Sequence, residues 1–399
     1  MTHDDRSADD RSADNLSRHI IGIDLLRFLA AFAVMLFHFG YETSIEGHTP
    51  SRLSQGVVAY PWLAEYAVYG WVGVPVFFVI SGFVISLSAR NTDAARFMAG
   101  RILRLAPAVW ICASITAIVA VIAGDGTVLK IIGRLVTSAV FSPFGKQIDG
   151  TYWTLSVEIA FYISIFYLLL KQRMKYFDAY IYYLAIMSAA FNLVELFTGR
   201  IGIPSKIENL LLIEYGCEFA LGALLFRLML ARTGNRTAYA MTVIAGLGSY
   251  AQVMKGADSQ GMWVLLWIWS ASMLFLIASV AANQRLTIHL PKSLIRASRE
   301  LGKFTYPLYL IHQLVGSFLL YVLVTRGIGQ TPALIATLAA MIALAAAISI
   351  GESALRARLK SSVQSFSRRA VARLGSRRRE DVMAEGESVG WRKAERQPI

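Results

Sequence analysis

Arg27 and His38 lie eleven residues apart in the apolar stretch IDLLRFLAAFAVMLFHFG, residues 23–40. Ionisable side chains are costly in hydrocarbon and mark working sites there. A helix rises about 1.5 Å and turns about 100° per residue, so this spacing is close to three turns and roughly 16 Å. Both residues therefore share one face. Asp24 sits one turn below Arg27 and is placed to pair with it. Alone, Arg27 fits either a cation snorkelling to the interface or a buried site. His38 alone fits either an interfacial side chain or a base.

Further candidates follow along the chain. In RILRL, Arg101 and Arg104 stand at i and i+3. Two guanidinium forks on one face clamp phosphates bidentately; simple cytoplasmic anchoring by positive charge is the alternative. YWTLSVEIAFY carries Glu158 about two turns into its helix, where a carboxylate can orient and charge-stabilise a histidine. GKFTYPLYLIHQ carries Lys303, Tyr306, Tyr309 and His312, with Pro307 expected in a first helical turn. Glu195, Glu214 and Glu218 are either cavity-lining or interfacial, and neither they nor Asp24 can be assigned a role. Sorted by depth, Arg27, Arg101, Arg104 and Lys303 fall in an inner half. His38, Glu158, Glu195, Glu214 and Glu218 fall in an outer half. Cations below suit a phosphorylated donor; a histidine with carboxylates above is general-base equipment for a hydroxyl. Proton-coupled transport or flipping of a glycan precursor without chemistry is the rival, since intramembrane Arg, His and Glu serve such paths too. No inverted repeat and no paired Gly/Pro-broken helices support that rival.

The elements holding these residues must be membrane helices. Of the 399 residues, 56% are hydrophobic and only 16% charged, against roughly 25% charged in soluble domains. Mean hydropathy is +0.51. The net charge of +13 is spread in short runs between apolar segments and in the C-terminal tail, not gathered on one nucleic-acid-binding face. A spanning helix needs about 20 apolar residues. Ten stretches qualify: Ile20–Phe39, Tyr69–Ser88, Leu103–Ala123, Tyr152–Leu170, Ala179–Phe197, Asn209–Leu230, Ala238–Met254, Met262–Ala282, Phe304–Val324 and Pro332–Ser353. VLKIIGRLVTSAVF, with Lys130 and Arg134, is expected as an interfacial or re-entrant helix. Alternate loops are rich in Lys and Arg, which places both termini in the cytoplasm. Residues 1–19 are expected as a disordered polar arm, 20–354 as one all-α polytopic domain, and 355–399 as a basic cytoplasmic tail. Cys112 and Cys217 lie inside apolar segments and are expected as buried thiols. No His/Cys/Asp spacing fits a metal site.

Five ordered motifs together carry a family resemblance. They are Arg27 and His38 in the first helix, GVPVFFVISGFVIS with Ser81 and Gly82, Arg101 with Arg104, Trp153 with Glu158, and GKFTYPLYLIH with Thr305 where serine is usual. From Ile20 to about Ser353 the sequence resembles the acyltransferase-3 family of integral-membrane acyltransferases, in its stand-alone form without a fused SGNH esterase-like domain. That resemblance implies O-acyl transfer from cytoplasmic acyl-CoA, acetyl-CoA by default, to a hydroxyl of a glycan or lipid-linked sugar in the bacterial inner membrane. Its implied assignments are Arg101 and Arg104 on CoA phosphates, with Arg27, Lys303, Tyr306 and His312 along the donor path. His38 is the base, oriented by Glu158. A covalent acyl-His38 intermediate stays open beside direct transfer. No metal and no nucleic acid are implied, and the partners are acyl-CoA, the sugar and membrane lipid.

Overall fold

The structure is a computed structural model that describes residues 20–199, 201–256 and 261–361. The N-terminal arm and the tail from residue 362 onward lie outside the described residues. Those described form helices and turns, with no strand among them. Eight helices are long and apolar enough to cross a membrane. Two more occupy the sixth and seventh expected spans. One is interrupted: only Gly216–Leu225 is regular α-helix, prolonged by a π-turn to Leu230. The other, Arg236–Lys255, has the length but is diluted by Thr, Gly, Ser and Gln. The protein is an all-α multi-pass membrane protein.

We number the main helices α1 (Ile21–Leu36), α2 (Gly73–Ala89), α3 (Ala94–Ile122), α4 (Val128–Ala139), α5 (Trp153–Leu170), α6 (Phe177–Thr198), α7 (Gly216–Leu225), α8 (Arg236–Lys255), α9 (Met262–His289), α10 (Lys292–Ile311), α11 (Ser317–Thr325) and α12 (Gln330–Ser361). The segment expected to be interfacial or re-entrant is α4, only 12 residues long and N-capped by Thr127. α1 lies at the centre and touches α2, α9 and α10. Its approach to α10 is close: a Cβ on Gly302 would sit 2.4 Å from the Asp24 carboxyl carbon. α2 and α7 cross at reciprocal glycines. A Cβ on Gly82 would lie 2.2 Å from the Phe219 carbonyl oxygen, and one on Gly222 would lie 1.9 Å from that of Val79. Small residues let backbones approach this way where lipid supplies no hydrophobic drive between helices. Gly222→Ala should therefore cost about 1–3 kcal/mol through overpacking, read as a lower melting temperature in detergent. Gly246→Ala, whose Cβ meets nothing within 4 Å, should leave melting unchanged or raise it slightly.

Two helix starts differ from expectation, and the entry of a third helix is buried. α3 begins at Ala94, where the Asp93 side chain accepts the Arg96 N–H at 2.9 Å. Arg101 and Arg104 are thus two turns inside a helix and not at its start. α10 begins at Lys292, twelve residues before the expected Phe304, so Pro307 is interior and not in a first turn. His312 then lies about 30 Å along the helix axis, not about 12 Å. α5 begins beneath the surface: Thr151 and Tyr152, at its entry, are buried.

Two π-turns matter for the site. α1 continues into the π-turn Phe37–Tyr41, which carries His38. α10 continues into the π-turn His312–Gly316. Such turns re-aim side chains and recur at functional positions.

Candidate functional site

The two π-turns meet. The His38 and His312 rings lie 5.1 Å apart, centroid to centroid. His38 Nδ1 is paired with the Glu42 carboxylate one turn on. The other Glu42 oxygen meets His48 Nδ1 at 2.8 Å. Gln313 Nε2 donates to Glu42 Oε2 at 3.2 Å and lies 3.0 Å from His38 Nδ1. Glu42 thus receives three nitrogens and fixes the His38 tautomer with hydrogen on Nδ1, leaving Nε2 bare. Among the described residues nothing hydrogen-bonds that Nε2. His312 is fully buried. Its Nδ1–H donates to the Leu308 carbonyl at 3.0 Å, and its Nε2 has no partner among the described residues. Asp149 secures the second π-turn by accepting the Leu314 N–H at 2.9 Å. His38, Glu42, Gln313, Trp71 and Tyr309 line a cavity of about 450 Å³.

A second cavity, of about 80 Å³, adjoins the first at Val74 and Tyr309, which line both. Arg27, Arg104, Glu158, Ser81 and Tyr306 line it. Arg27 Nη1 is 3.6 Å from Asp24 Oδ1. Glu158 Oε1 accepts from the Tyr162 hydroxyl at 2.5 Å and from Ser81 Oγ at 3.0 Å. Arg101 stands behind Arg104. Its guanidinium lies 5.7 Å from the Phe97 ring centre and 5.6 Å from that of Tyr162, with Nε and Nη1 buried and unpartnered. The Tyr306 hydroxyl is also buried without a partner among the described residues. Arg27 and Arg104 thus share this cavity with Glu158, and Arg101 lies nearby against Phe97 and Tyr162 without lining it. A surplus cation out of water favours an anionic ligand.

Sequence spacing places Glu158 on His38, and the geometry corrects this: the carboxylate on His38 is Glu42. Glu158 instead lines the cavity of Arg27 and Arg104. His312 is likewise not on the arginine side; the early start of α10 carries it up to His38. Lys303 is exposed, paired with Glu300 at 2.7 Å, and lines neither cavity. Arg27, Arg104 and Tyr306 share one cavity, whereas Arg101 lines neither. Glu42 and Gln313 are absent from the sequence-based candidates. The signals for them were present: Glu42 is four residues after His38, and Gln313 directly follows His312.

Among the described residues no cluster of three His, Cys, Asp or Glu side chains could hold a metal ion. No solved structure matches the chain. Nodulation protein 10 of Rhizobium leguminosarum bv. viciae is 26% identical over 220 residues, which is 48% of this chain and 57% of that protein. The chain thus spans little more than half the length of this curated relative. Neighbouring cavities, one cationic and one holding a histidine–carboxylate pair, suit an enzyme that moves a group between two substrates. The family model described as acyltransferase domain, acyltransferase-3, matches residues 20–352, and the chain belongs to that family of membrane acyltransferases.

Proposed function

We propose that the protein transfers an acyl group, acetyl in the simplest case, from acyl-CoA to a hydroxyl of a cell-surface or exported glycan. It acts in the bacterial inner membrane with both termini cytoplasmic. The observation that carries this is that the histidine cavity and the arginine cavity are neighbours, with Val74 and Tyr309 lining both. Arg104, with Arg27 and Arg101, draws the phosphates of CoA, and the thioester is carried toward His38 along the face that Tyr306 and Tyr309 border. His38 Nε2 takes the proton of the sugar hydroxyl as its oxygen attacks the thioester carbonyl. The carbon–sulfur bond breaks, and the CoA thiolate takes the proton from the imidazolium. The products are an ester and CoA thiol. Glu42 supports the imidazolium while it exists. The rival, transport without acyl chemistry, finds no counterpart in a family of acyltransferases.

Purified protein in nanodiscs, given acetyl-CoA labelled in the acetyl group and glycan from the host envelope, should yield alkali-labile label on the glycan with matching CoA release. Glycan flux without CoA release would overturn the proposal.

Gly150 gives a test of the His38 support. A Cβ there would lie 2.5 Å from Gln313 Oε1. Gly150→Ala should push the amide off Glu42 and His38. We expect kcat to fall about tenfold, as a small misplacement of a catalytic group does, with the acyl-CoA KM unchanged.

A further inference from the structure

A third cavity, of about 710 Å³, adjoins the His38 cavity through Phe37, Trp71 and Tyr215, which line both. It opens among α6, α8 and the chain before α7. Its polar groups are Glu195, Glu214, Lys255 and Gln252. Lys255 Nζ reaches Glu195 Oε2 at 2.6 Å and Glu214 Oε1 at 3.7 Å. Glu195 Oε1 also accepts the Ile201 N–H at 3.1 Å. Ion pairing within the trio gives a structural link between α6 and α8. It does not account for Gln252. That side chain is only 3% exposed, lines the cavity, and its Oε1 has no partner among the described residues.

The unsatisfied atom on the cavity-lining residues, the Gln252 amide oxygen, is a hydrogen-bond acceptor. Buried polar atoms are normally bonded, and orphans of one polarity ask for a ligand of the other. The missing ligand is therefore a donor, such as a polyol or an ammonium group. Two carboxylates against one ammonium leave the cavity net negative, which repels an anionic ligand. Trp71 and Tyr215 line both this cavity and that of His38, and aromatic side chains suit the apolar faces of a sugar.

We propose that this cavity is the subsite for the glycan residue next to the one acylated. It takes a neutral or amine-bearing sugar and rejects an acidic one. This rests on the acyl-transfer proposal above, which makes His38 the point where a sugar hydroxyl reacts.

Three tetrasaccharide probes test it, built from glucose, glucosamine or galacturonic acid, by equilibrium binding to the protein in nanodiscs. The glucosamine and glucose probes should bind saturably, the cationic one more tightly, and the galacturonic acid probe should not. Glu214→Gln and Gln252→Leu should each weaken glucosamine-probe binding tenfold or more. Both variants should bind acetyl-CoA as the unchanged protein does, which certifies their fold. Arg104→Ala should bind the saccharides normally. Equal binding of the acidic probe, wild-type affinity in both variants, or no binding by any probe overturns the subsite. Saccharide binding as expected, with no acetyl label ever transferred, instead overturns the acyl-transfer proposal and leaves the cavity as a sugar-binding site alone.

Discussion

His38→Ala should lower the rate of acyl transfer by about 10²- to 10⁴-fold, the range a positioned general base contributes. Acetyl-CoA binding should persist, because no arginine of the inner cavity touches His38. Glu42→Gln should have a smaller effect in the same direction. It keeps a hydrogen-bonding group against Nδ1 but removes the charge that supports the imidazolium and frees the tautomer to invert. Together the pair separates base chemistry from simple binding: both variants lose kcat, and neither raises the acyl-CoA KM. Labelled acetyl-CoA without any glycan distinguishes the two routes through His38. Direct transfer leaves the protein unlabelled under rapid quench, whereas an acyl-His38 intermediate leaves one label per chain that His38→Ala abolishes. Full transfer by His38→Ala would remove the histidine from the mechanism altogether.

The two parts of the site differ in how legible they are from sequence, for a physical reason. Arg27 with His38, and Arg101 with Arg104, are relations within one helix. Helical phase fixes such relations whatever the helix packs against. Relations between helices depend on where each helix enters the bundle, and hydropathy marks entry poorly. The polar first turns of α10, Lys292–Gly302, carry Lys292, Arg296, Arg299 and Glu300 and so read as loop. They are helix, so the expected helix start gave the wrong distance of His312 from that end. Glu42 escaped because an ordinary span is expected to end near Phe39, whereas the π-turn prolongs the helical path to it. The membrane class and the all-helical fold were legible because they rest on composition and apolar length alone. α7, buried along its whole length, needs neither full length nor a lipid-facing stripe.

Arg104→Ala should raise the acyl-CoA KM about 10- to 100-fold with little change in kcat. A charge-assisted hydrogen bond contributes roughly 1.5–3 kcal/mol, and 1.36 kcal/mol is a factor of ten. Arg104 lines the inner cavity beside Arg27 and Glu158, so its loss also leaves Glu158 with one fewer cation. Glu158→Gln should then have the reverse signature. It deepens the positive surplus, so acyl-CoA should bind as tightly or more tightly, while an acid-base role for Glu158 on His38 would instead require a fall in kcat. Arg104→Lys separates charge from geometry: an ammonium keeps the charge but loses the planar fork, so recovery should be partial. Arg101 behaves differently. Its guanidinium is stacked between Phe97 and Tyr162, and Tyr162 in turn holds Glu158. Arg101→Ala therefore loosens the Tyr162–Glu158 bond as well as removing charge, and should lower thermal stability where Arg104→Ala does not. Measuring KM and melting temperature on the same preparations tells the two arginines apart. Equal KM values for Arg104→Ala and the unchanged protein would take the phosphate contact away from the inner cavity.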